Sequence, residues 1–264
     1  MTSAAITYET ILVDVADGVA TITLNRPDRM NAFNRGMVRD FRTLWDAVRL
    51  NPEVRAIVLR AAPGRAFCIG VDVKEGWHDA EPGATPFDTE HPGDSLGPKS
   101  NQVWKPLVVA VSGMAAAGAF YWINEADIVI CSEEATFFDT HVSFGTVSSA
   151  GPVGAMGRIP HLEIVRLALM SNEERIGAET ARRISLVTEV TALDGLWARA
   201  DEIGRSLAAK SPVAVQGTVR ALWESQGLPH AQAVQGATHY SQIGNRDGFA
   251  SINMAAPKVA WRVR

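Results

Sequence analysis

The sequence predicts an α/β protein in which parallel strands alternate with helices, followed by a helical C-terminal part. The continuous apolar run at 107–111 is typical of a strand buried on both faces, and the segment 127–131 predicts another buried strand. A run of small residues at 115–125 predicts a helix between these strands. From Glu163 onward the periodicity is helical, apart from one predicted strand at 186–190. We therefore expect an α/β core over residues 1–195 and a helical region over residues 196–264.

The first elements have clear boundaries in the sequence. Apolar residues alternate with others on both sides of Asp17-Gly18, which predicts a two-stranded hairpin ending at Leu24. Helical spacing from Met37 to Val48 follows Asn34, a residue type that caps helix N-termini. The next strand is predicted at 54–59. This order of elements already resembles the start of a layered α/β core.

The segment 73–98 interrupts the regular elements. It contains four prolines, several glycines and two histidines, and this composition predicts a loop. The simplest interpretation of His78 and His91 is that they are exposed loop residues. After the loop, helices are predicted at 164–170, 178–184, 194–210, 212–225 and in the final stretch to residue 264.

Composition and charge exclude several classes of protein. The chain has 264 residues, of which 47% are hydrophobic, which is enough to bury a sizeable core. The formal net charge is −4, so we expect no nucleic-acid partner. Cys68 and Cys131 are far apart in apolar surroundings, which favours a reducing compartment and a cytoplasmic location.

Signals for export or membrane insertion are weak. The first ten residues lack the basic start and apolar block of a secretory signal. The uncharged stretch 107–123 is interrupted by glycines and is shorter than the roughly 20 residues that a transmembrane helix needs. We expect a strand and a helix there, and no membrane partner.

Generic catalytic motifs are absent from the sequence. It has no Walker loop, GxGxxG, HExxH, GxSxG or paired CxxC motif, and the spacing of its histidines supports no metal site. Two glycine-marked turns remain, at 66–72 and 113–118. Two backbone N–H groups about 3 Å from one developing oxyanion would stabilise it, as acyl chemistry requires. The alternative is that these glycines serve only tight turns and close packing.

Several short motifs keep a fixed order over about 150 residues. They are Asn25-Arg26-Pro27, Met30-Asn31-Ala32, Ala66-Phe67 with Gly70 and Asp72, Lys105-Pro106, Val111-Ser112-Gly113, Asp127 and Ala135-Thr136-Phe137. Together these motifs resemble the crotonase superfamily of enoyl-CoA hydratases and isomerases. The resemblance implies a spiral of ββα units with a helical C-terminal trimerisation region. It also implies an acyl-CoA substrate, no cofactor other than the coenzyme A of that substrate, and a homotrimer or a dimer of trimers.

The resemblance also assigns site residues. It places an oxyanion hole on the backbone N–H groups of Val71 and Gly118. The positions that match the family's CoA channel are Arg29, Met30, Ala66, Asp72, Val73 and Lys74. Trp77, in the predicted loop, is a candidate for lining the acyl pocket.

The catalytic acids depart from the family pattern. Hydratases of the family carry two glutamates, and here Tyr121 and His141 occupy those positions. Tyrosine, with a pKa near 10, is a hydrogen-bond donor at neutral pH, whereas histidine near 6.5 can give or take a proton. Asp139 lies two residues before His141, so both side chains would share one side of an extended segment. We therefore predict His141 as the main proton carrier, with Tyr121 and Asp139 assisting. Purely structural roles for Tyr121 in packing and Asp139 in a turn stay open.

These residues favour an acyl-CoA enzyme that works through a thioester enolate. One acid/base group is enough for double-bond isomerisation, whereas hydration usually recruits two. The open alternatives are a C–C bond hydrolase or decarboxylase of the same family, a catalytically silent acyl-CoA-binding protein, and a hydrolase of a non-CoA 1,3-diketone.

Overall fold

The structure is a computed structural model that describes residues 7–75, 91–251 and 261–263. The chain divides into two compact units, residues 1–209 and residues 210–264. The first unit contains both sheets. In its described residues, the second contains two helices that pack against each other, α8 (Pro212–Glu224) and α9 (His230–Ala250).

The opening hairpin is confirmed. Strand β1 (Ile11–Ala16) pairs antiparallel with β2 (Val19–Leu24). Asp17 and Gly18 connect them with positive φ angles of 52° and 79°. Two successive positive φ angles match the turn geometry that follows the twist of a hairpin, for which Asp-Gly is a favoured pair.

The first predicted helix is also confirmed, and both of its ends are capped. In α1 (Arg35–Leu50), the Asn34 side chain accepts a hydrogen bond of 2.9 Å from the Met37 N–H. At the other end, the Lys105 Nζ donates to the carbonyls of Val48 and Asn51, at 2.5 Å each. These contacts satisfy backbone groups that a helix leaves without partners at its termini.

The remaining strands alternate between two sheets. Strands β3 (Ala56–Ala61), β5 (Leu107–Val111), β7 (Ile128–Ser132) and β10 (Glu189–Thr191) extend the hairpin in the order β1-β2-β3-β5-β7-β10. We call this the large sheet; its pairings after β1-β2 are parallel. The small sheet has the order β4-β6-β8-β9, formed by β4 (Ala66–Cys68), β6 (Met114–Ala116), β8 (Thr136–Phe138) and β9 (Ile176–Gly177).

This alternation is the repeat that the resemblance to the crotonase superfamily implied. The pairs β3-β4, β5-β6 and β7-β8 each place their first strand in the large sheet and their second in the small sheet. The chain thereby advances along both sheets together. The predicted parallel α/β class is confirmed.

Six helices complete the first unit. They are α2 (Gly93–Leu96), α3 (Phe120–Glu125), α4 (Ala150–Gly154), α5 (His161–Met170), α6 (Ala178–Arg183) and α7 (Leu193–Ala208). This count covers only helices within the described ranges. Among those residues, none forms a helix long and apolar enough to cross a membrane.

Some predicted elements differ from the structure. Helix α2 lies within the loop predicted at 73–98, and the strand predicted at 186–190 begins only at Glu189. The helix expected at 115–125 begins only at Phe120, because β6 and a 3₁₀ turn at 117–119 precede it. Ala115 and Ala116 pair with Phe137 and Phe138 of β8, and this tertiary pairing overrides the helix preference of alanine.

Both faces of the large sheet are buried. One face packs around Trp122, whose ring lies 5.1 Å from that of Phe41, 6.2 Å from that of Phe33 and 6.3 Å from that of Phe67, centroid to centroid. Helix α7 covers the other face, where Leu196 and Ala200 are fully buried. The division expected between residues 195 and 196 falls inside α7, and this helix belongs with the core because it packs on the sheet.

Helix α7 approaches the sheet closely at Gly204. A Cβ atom there would lie 2.9 Å from the Val58 Cγ2 and 3.2 Å from the Val19 Cγ1. We expect Gly204→Ala to lower the free energy of unfolding by about 1–3 kcal/mol through overpacking. The control is Gly195→Ala on the same helix, where a Cβ meets nothing within 4 Å. It should be neutral or stabilise by up to about 1 kcal/mol. Urea denaturation measures both, and equal midpoints would contradict this packing.

Candidate active site

The candidate site lies where three neighbouring strands end. Strands β4, β6 and β8 are parallel, so their carboxyl ends lie at the same edge of the small sheet. Val71 follows β4, Gly118 and Tyr121 follow β6, and Asp139 and His141 follow β8. In α/β sheets this edge is where ligands bind. The topology therefore gathers the predicted oxyanion and catalytic residues at one place.

The backbone of Val71 is oriented by a bridge to Phe33. The Phe33 N–H donates to the Gly70 carbonyl at 2.9 Å, and the Asp72 N–H donates to the Phe33 carbonyl at 2.8 Å. Because N–H groups alternate in direction along an extended segment, the Val71 N–H points away from Phe33. It therefore takes no part in the bridge.

Gly118 is the second residue of the 3₁₀ turn at 117–119. The N–H groups that begin a helical turn have no acceptor within that turn. A side chain at this position is excluded, because a Cβ would overlap the Phe33 ring and lie 3.1 Å from the Tyr121 Cε2. Packing therefore requires a glycine where the resemblance places an oxyanion donor.

The two glycine turns touch each other. Gly70 has a φ of +92°, and a Cβ on it would lie 3.0 Å from the Ala117 Cβ and 3.2 Å from the Gly118 amide nitrogen. Ala117 itself has a φ of 49°, a left-handed conformation that costs an alanine free energy. The contact brings the backbone next to Val71 against the amide of Gly118.

His141 and Asp139 form a hydrogen-bonded pair. The His141 Nδ1 lies 3.0 Å and 3.1 Å from the two carboxylate oxygens of Asp139. The Asp139 side chain is 2% exposed and that of His141 is 33% exposed. A carboxylate at Nδ1 holds the proton on that nitrogen and leaves Nε2 to face a substrate.

The pair forms through a turn, and the expected extended geometry is wrong. His141 has φ −59° and ψ −52°, a helical conformation, and its backbone N–H donates to Asp139 Oδ1 at 2.8 Å. Strand β8 has already ended at Phe138. Asp139 therefore closes a turn and orients the imidazole at once, so its two predicted roles are compatible.

The pair shifts the pKa of both partners. Burial works to raise the pKa of Asp139, but the hydrogen bonds from the His141 side chain and backbone, with the charge of His141, hold that pKa below its usual value. The hydrogen bond to Asp139 raises the pKa of His141, although burial opposes the shift. His141 is consequently a stronger base than an isolated histidine.

Tyr121 remains protonated at the edge of the site. Burial raises its pKa to about 12, and the negative charges of Asp139 and Asp94 act in the same direction. Its hydroxyl lies 3.5 Å from the His91 Nε2. A phenol in this state is a hydrogen-bond donor and not a general base.

The interpretation of His91 as an exposed loop residue is wrong. It is half-buried, and its ring meets that of Tyr121 edge-on with centroids 5.2 Å apart. No sequence signal marks this contact, because the two residues are 30 positions apart and His91 lies in a segment without periodicity.

The predicted CoA-channel residues fall into two groups. Ala66 and Asp72 are buried, with Ala66 accepting from Asn31 at 2.9 Å and Asp72 pairing with Arg26 at 3.1 Å. These two contacts hold together the chain segments on which the other predicted channel residues lie, and those residues form the second group. That group comprises the exposed Arg29, Val73 and Lys74 and the half-buried Met30. Trp77 lies outside the described residues.

Metal-binding geometry is not found in the described part of the chain. Among those residues, no group of three or more His, Cys, Asp or Glu side chains is arranged to hold a metal ion.

The fold and the site define a crotonase-type α/β protein, with two interleaved sheets and glycine turns at the strand ends of the small one. The family model for enoyl-CoA hydratase/isomerase matches residues 14–245. The chain belongs to the enoyl-CoA hydratase/isomerase family, within the crotonase superfamily, and is an acyl-CoA enzyme of that family.

Individual proteins agree with this assignment. The chain is 30% identical to (E)-benzylidenesuccinyl-CoA hydratase of Thauera aromatica over 220 residues, 83% of this chain and 84% of the relative. It is 30% identical to 1,2-epoxyphenylacetyl-CoA isomerase of Escherichia coli, with 76% of each chain covered. A crystal structure of an enoyl-CoA hydratase/isomerase from Mycobacterium paratuberculosis superposes with a TM-score of 0.84 and 34% identity, covering 90% of this chain and 91% of that one.

The His141–Asp139 contact predicts a shift that can be measured. Asp139→Asn removes the carboxylate that raises the pKa of His141, whereas the burial that lowers this pKa remains. The pKa of His141 should therefore be lower in Asp139→Asn than in the wild type. NMR titration of the imidazole signals measures this, with His141→Gln assigning the resonance. An unchanged His141 pKa would contradict the pairing.

Proposed function

We propose that this enzyme moves a proton at the carbon next to the thioester carbonyl of an acyl-CoA. The backbone N–H groups of Val71 and Gly118 would both donate to the carbonyl oxygen and stabilise the enolate formed when that proton leaves. The contact between the two glycine turns supports this proposal, because it brings the donor-bearing segments together at the strand ends.

The observation that carries the proposal is the hydrogen-bonded pair of His141 and Asp139 beside these turns. The Nε2 of His141 takes the proton from the substrate carbon, and the electron pair of the broken C–H bond moves into the enolate. The imidazolium that forms is stabilised by the buried Asp139 carboxylate. Return of the same proton to another carbon of the conjugated system completes a double-bond isomerisation.

Isomerisation fits the site better than hydration. Hydration usually recruits two acid/base groups, one of which activates water. Tyr121 occupies the position of one family glutamate, and with a pKa of about 12 it is a poor base for that task. It is suited to donating a hydrogen bond to the substrate. His141 is therefore the proton carrier that we assign among the described residues of the site, and isomerisation requires one such group.

The relatives suggest which acyl groups to test first. Their names describe a benzylidenesuccinyl-CoA hydratase and an epoxyphenylacetyl-CoA isomerase, both acting on acyl groups with an aromatic ring. We propose aromatic acyl-CoA thioesters as the first substrate panel.

The CoA moiety would contact the exposed Arg29, Val73 and Lys74 and the half-buried Met30. Ala66 and Asp72 would hold the backbone of this channel in place. The proton transfer needs no cofactor beyond the coenzyme A of the substrate.

We also propose that the second unit serves homo-oligomerisation, as a trimer or a dimer of trimers. Helices α8 and α9 expose large apolar side chains, with Leu222 66%, Ile243 74% and Phe249 73% exposed. Light scattering should give a trimeric or hexameric mass, and a monomer at all concentrations would contradict this proposal.

Solvent deuterium exchange at the acyl α-carbon tests the proposed chemistry. Each protein is incubated with an acyl-CoA in deuterium oxide, and mass spectrometry follows the label. We expect His141→Gln to slow exchange by at least about 100-fold, because it removes the general base. Acyl-CoA binding, measured by calorimetry, should stay within a few-fold. The matched control, His161→Gln, changes an exposed histidine at the start of α5 and should behave as the wild type.

Other outcomes separate the alternatives. Exchange that survives His141→Gln would remove His141 from the mechanism. Binding without exchange in the wild type would indicate a catalytically silent acyl-CoA-binding protein. If millimolar free CoA fails to compete with the substrate, the CoA channel is not used, and a diketone hydrolase becomes the better account.

The pH dependence of exchange gives a further prediction. Only neutral His141 can accept a proton, so the rate should rise with pH through the pKa of His141, which lies above its usual value. Asp139→Asn should move this rise to lower pH and reduce the plateau. A rise at the same pH in both proteins would exclude His141 as the base.

A further inference from the structure

His91 is attached to Tyr121 by a contact whose direction can be assigned. The Gly93 N–H donates to the Nδ1 of His91 at 3.2 Å, so this nitrogen carries a lone pair and no proton. The neutral ring then carries its proton on Nε2. That nitrogen lies 3.5 Å from the Tyr121 hydroxyl. The N–H of Nε2 is therefore the donor, and the phenol oxygen accepts.

Accepting this bond determines where the phenol proton points. A hydroxyl has one proton and two lone pairs, so an oxygen that accepts from His91 directs its own O–H elsewhere. The Tyr121 ring lies between His91 and the oxyanion turn, since its Cε2 would be 3.1 Å from a Cβ on Gly118. The O–H is left to donate on the side away from His91.

The surroundings hold both rings in place. A Cβ on Gly93 would lie 2.8 Å from the His91 Nδ1 and 3.2 Å from the Tyr121 Cδ1, so the close packing depends on a glycine there. Helix α2, which starts at Gly93, is fastened to α1 because the Trp45 Nε1 donates to the Leu96 carbonyl at 3.1 Å. His91 thus stands at the start of an anchored segment.

We infer that His91 is a positioning residue, which holds the Tyr121 hydroxyl as a hydrogen-bond donor aimed into the active site. This inference rests on the proposed function. His91 itself does not contact the substrate; it sets the direction of the phenol proton, and its loss should lower kcat through Tyr121 alone. The conservative variant His91→Gln keeps an N–H donor at a similar reach and should preserve the effect.

A double-mutant cycle tests the coupling in the deuterium-exchange reaction. Loss of one oriented hydrogen bond corresponds to about a tenfold fall in kcat, which we expect for His91→Ala in the wild-type background, with KM within about twofold. In the Tyr121→Phe background the same substitution should change kcat by less than about twofold. His91→Gln should retain kcat within about threefold, and the control His161→Ala should leave it unchanged.

NMR tests the same contact without any activity. The chain has three tyrosines, so ¹³Cζ-labelled tyrosine gives three signals, and Tyr121→Phe assigns the one of interest. His91→Ala should shift the Tyr121 signal and leave those of Tyr8 and Tyr240 in place. No shift would overturn the inference even if the enzyme is active. An equal fall in kcat in both backgrounds of the cycle would also overturn it. A wild type without exchange that shows the NMR shift would refute the proposed function but keep the His91–Tyr121 contact.

Discussion

The parallel pairing of β4, β6 and β8 is the constraint on which the rest of the molecule depends. Each of these strands is only three residues long. They belong to different turns of the chain, yet hydrogen bonding aligns their carboxyl ends at one edge of the small sheet. The candidate residues come a few positions after these strand ends in the sequence. They are Val71 and Gly118 with their backbone amides, Tyr121 with its phenol and His141 with its imidazole. Without this pairing, nothing would hold together residues that lie up to 70 positions apart in the sequence, from 71 to 141.

Close packing and burial determine the conformation and the pKa values of the residues at this edge. The ring of Phe33 packs where a side chain on Gly118 would stand, so the turn can carry only a glycine there. Asp139 is almost completely buried, so its carboxylate finds its hydrogen bonds within the protein and the pairing raises the basicity of His141. At Tyr121, burial raises the pKa of the phenol and so keeps it protonated. The Asp139 pair thus favours a basic imidazole at His141, and burial favours a protonated phenol at Tyr121.

Local patterns were sufficient for much of the fold. The apolar runs predicted β5 and β7, Asn34 predicted the start of α1, and the order of short motifs identified the family before any geometry was known. They also indicated candidate site residues, several of which follow the carboxyl ends of β4, β6 and β8. What failed depended on tertiary pairing: Ala115 and Ala116 favour a helix locally, but β8 recruits them as a strand. Helix α7 was divided by the predicted boundary because its packing on the sheet is invisible in its own sequence.

The site showed the same limit. Residue types suggested that Asp139 assists His141, yet the contact forms through a turn and not through the alternation of a strand. His91 could not be found at all, because only the fold brings it to Tyr121.

The central claim is that two amides polarise one carbonyl. Isotope-edited infrared spectroscopy of a bound acyl-CoA with a ¹³C-labelled thioester carbonyl measures this directly. We predict a carbonyl stretch at lower frequency in the complex than in water. A bound carbonyl with the frequency it has in water would contradict it.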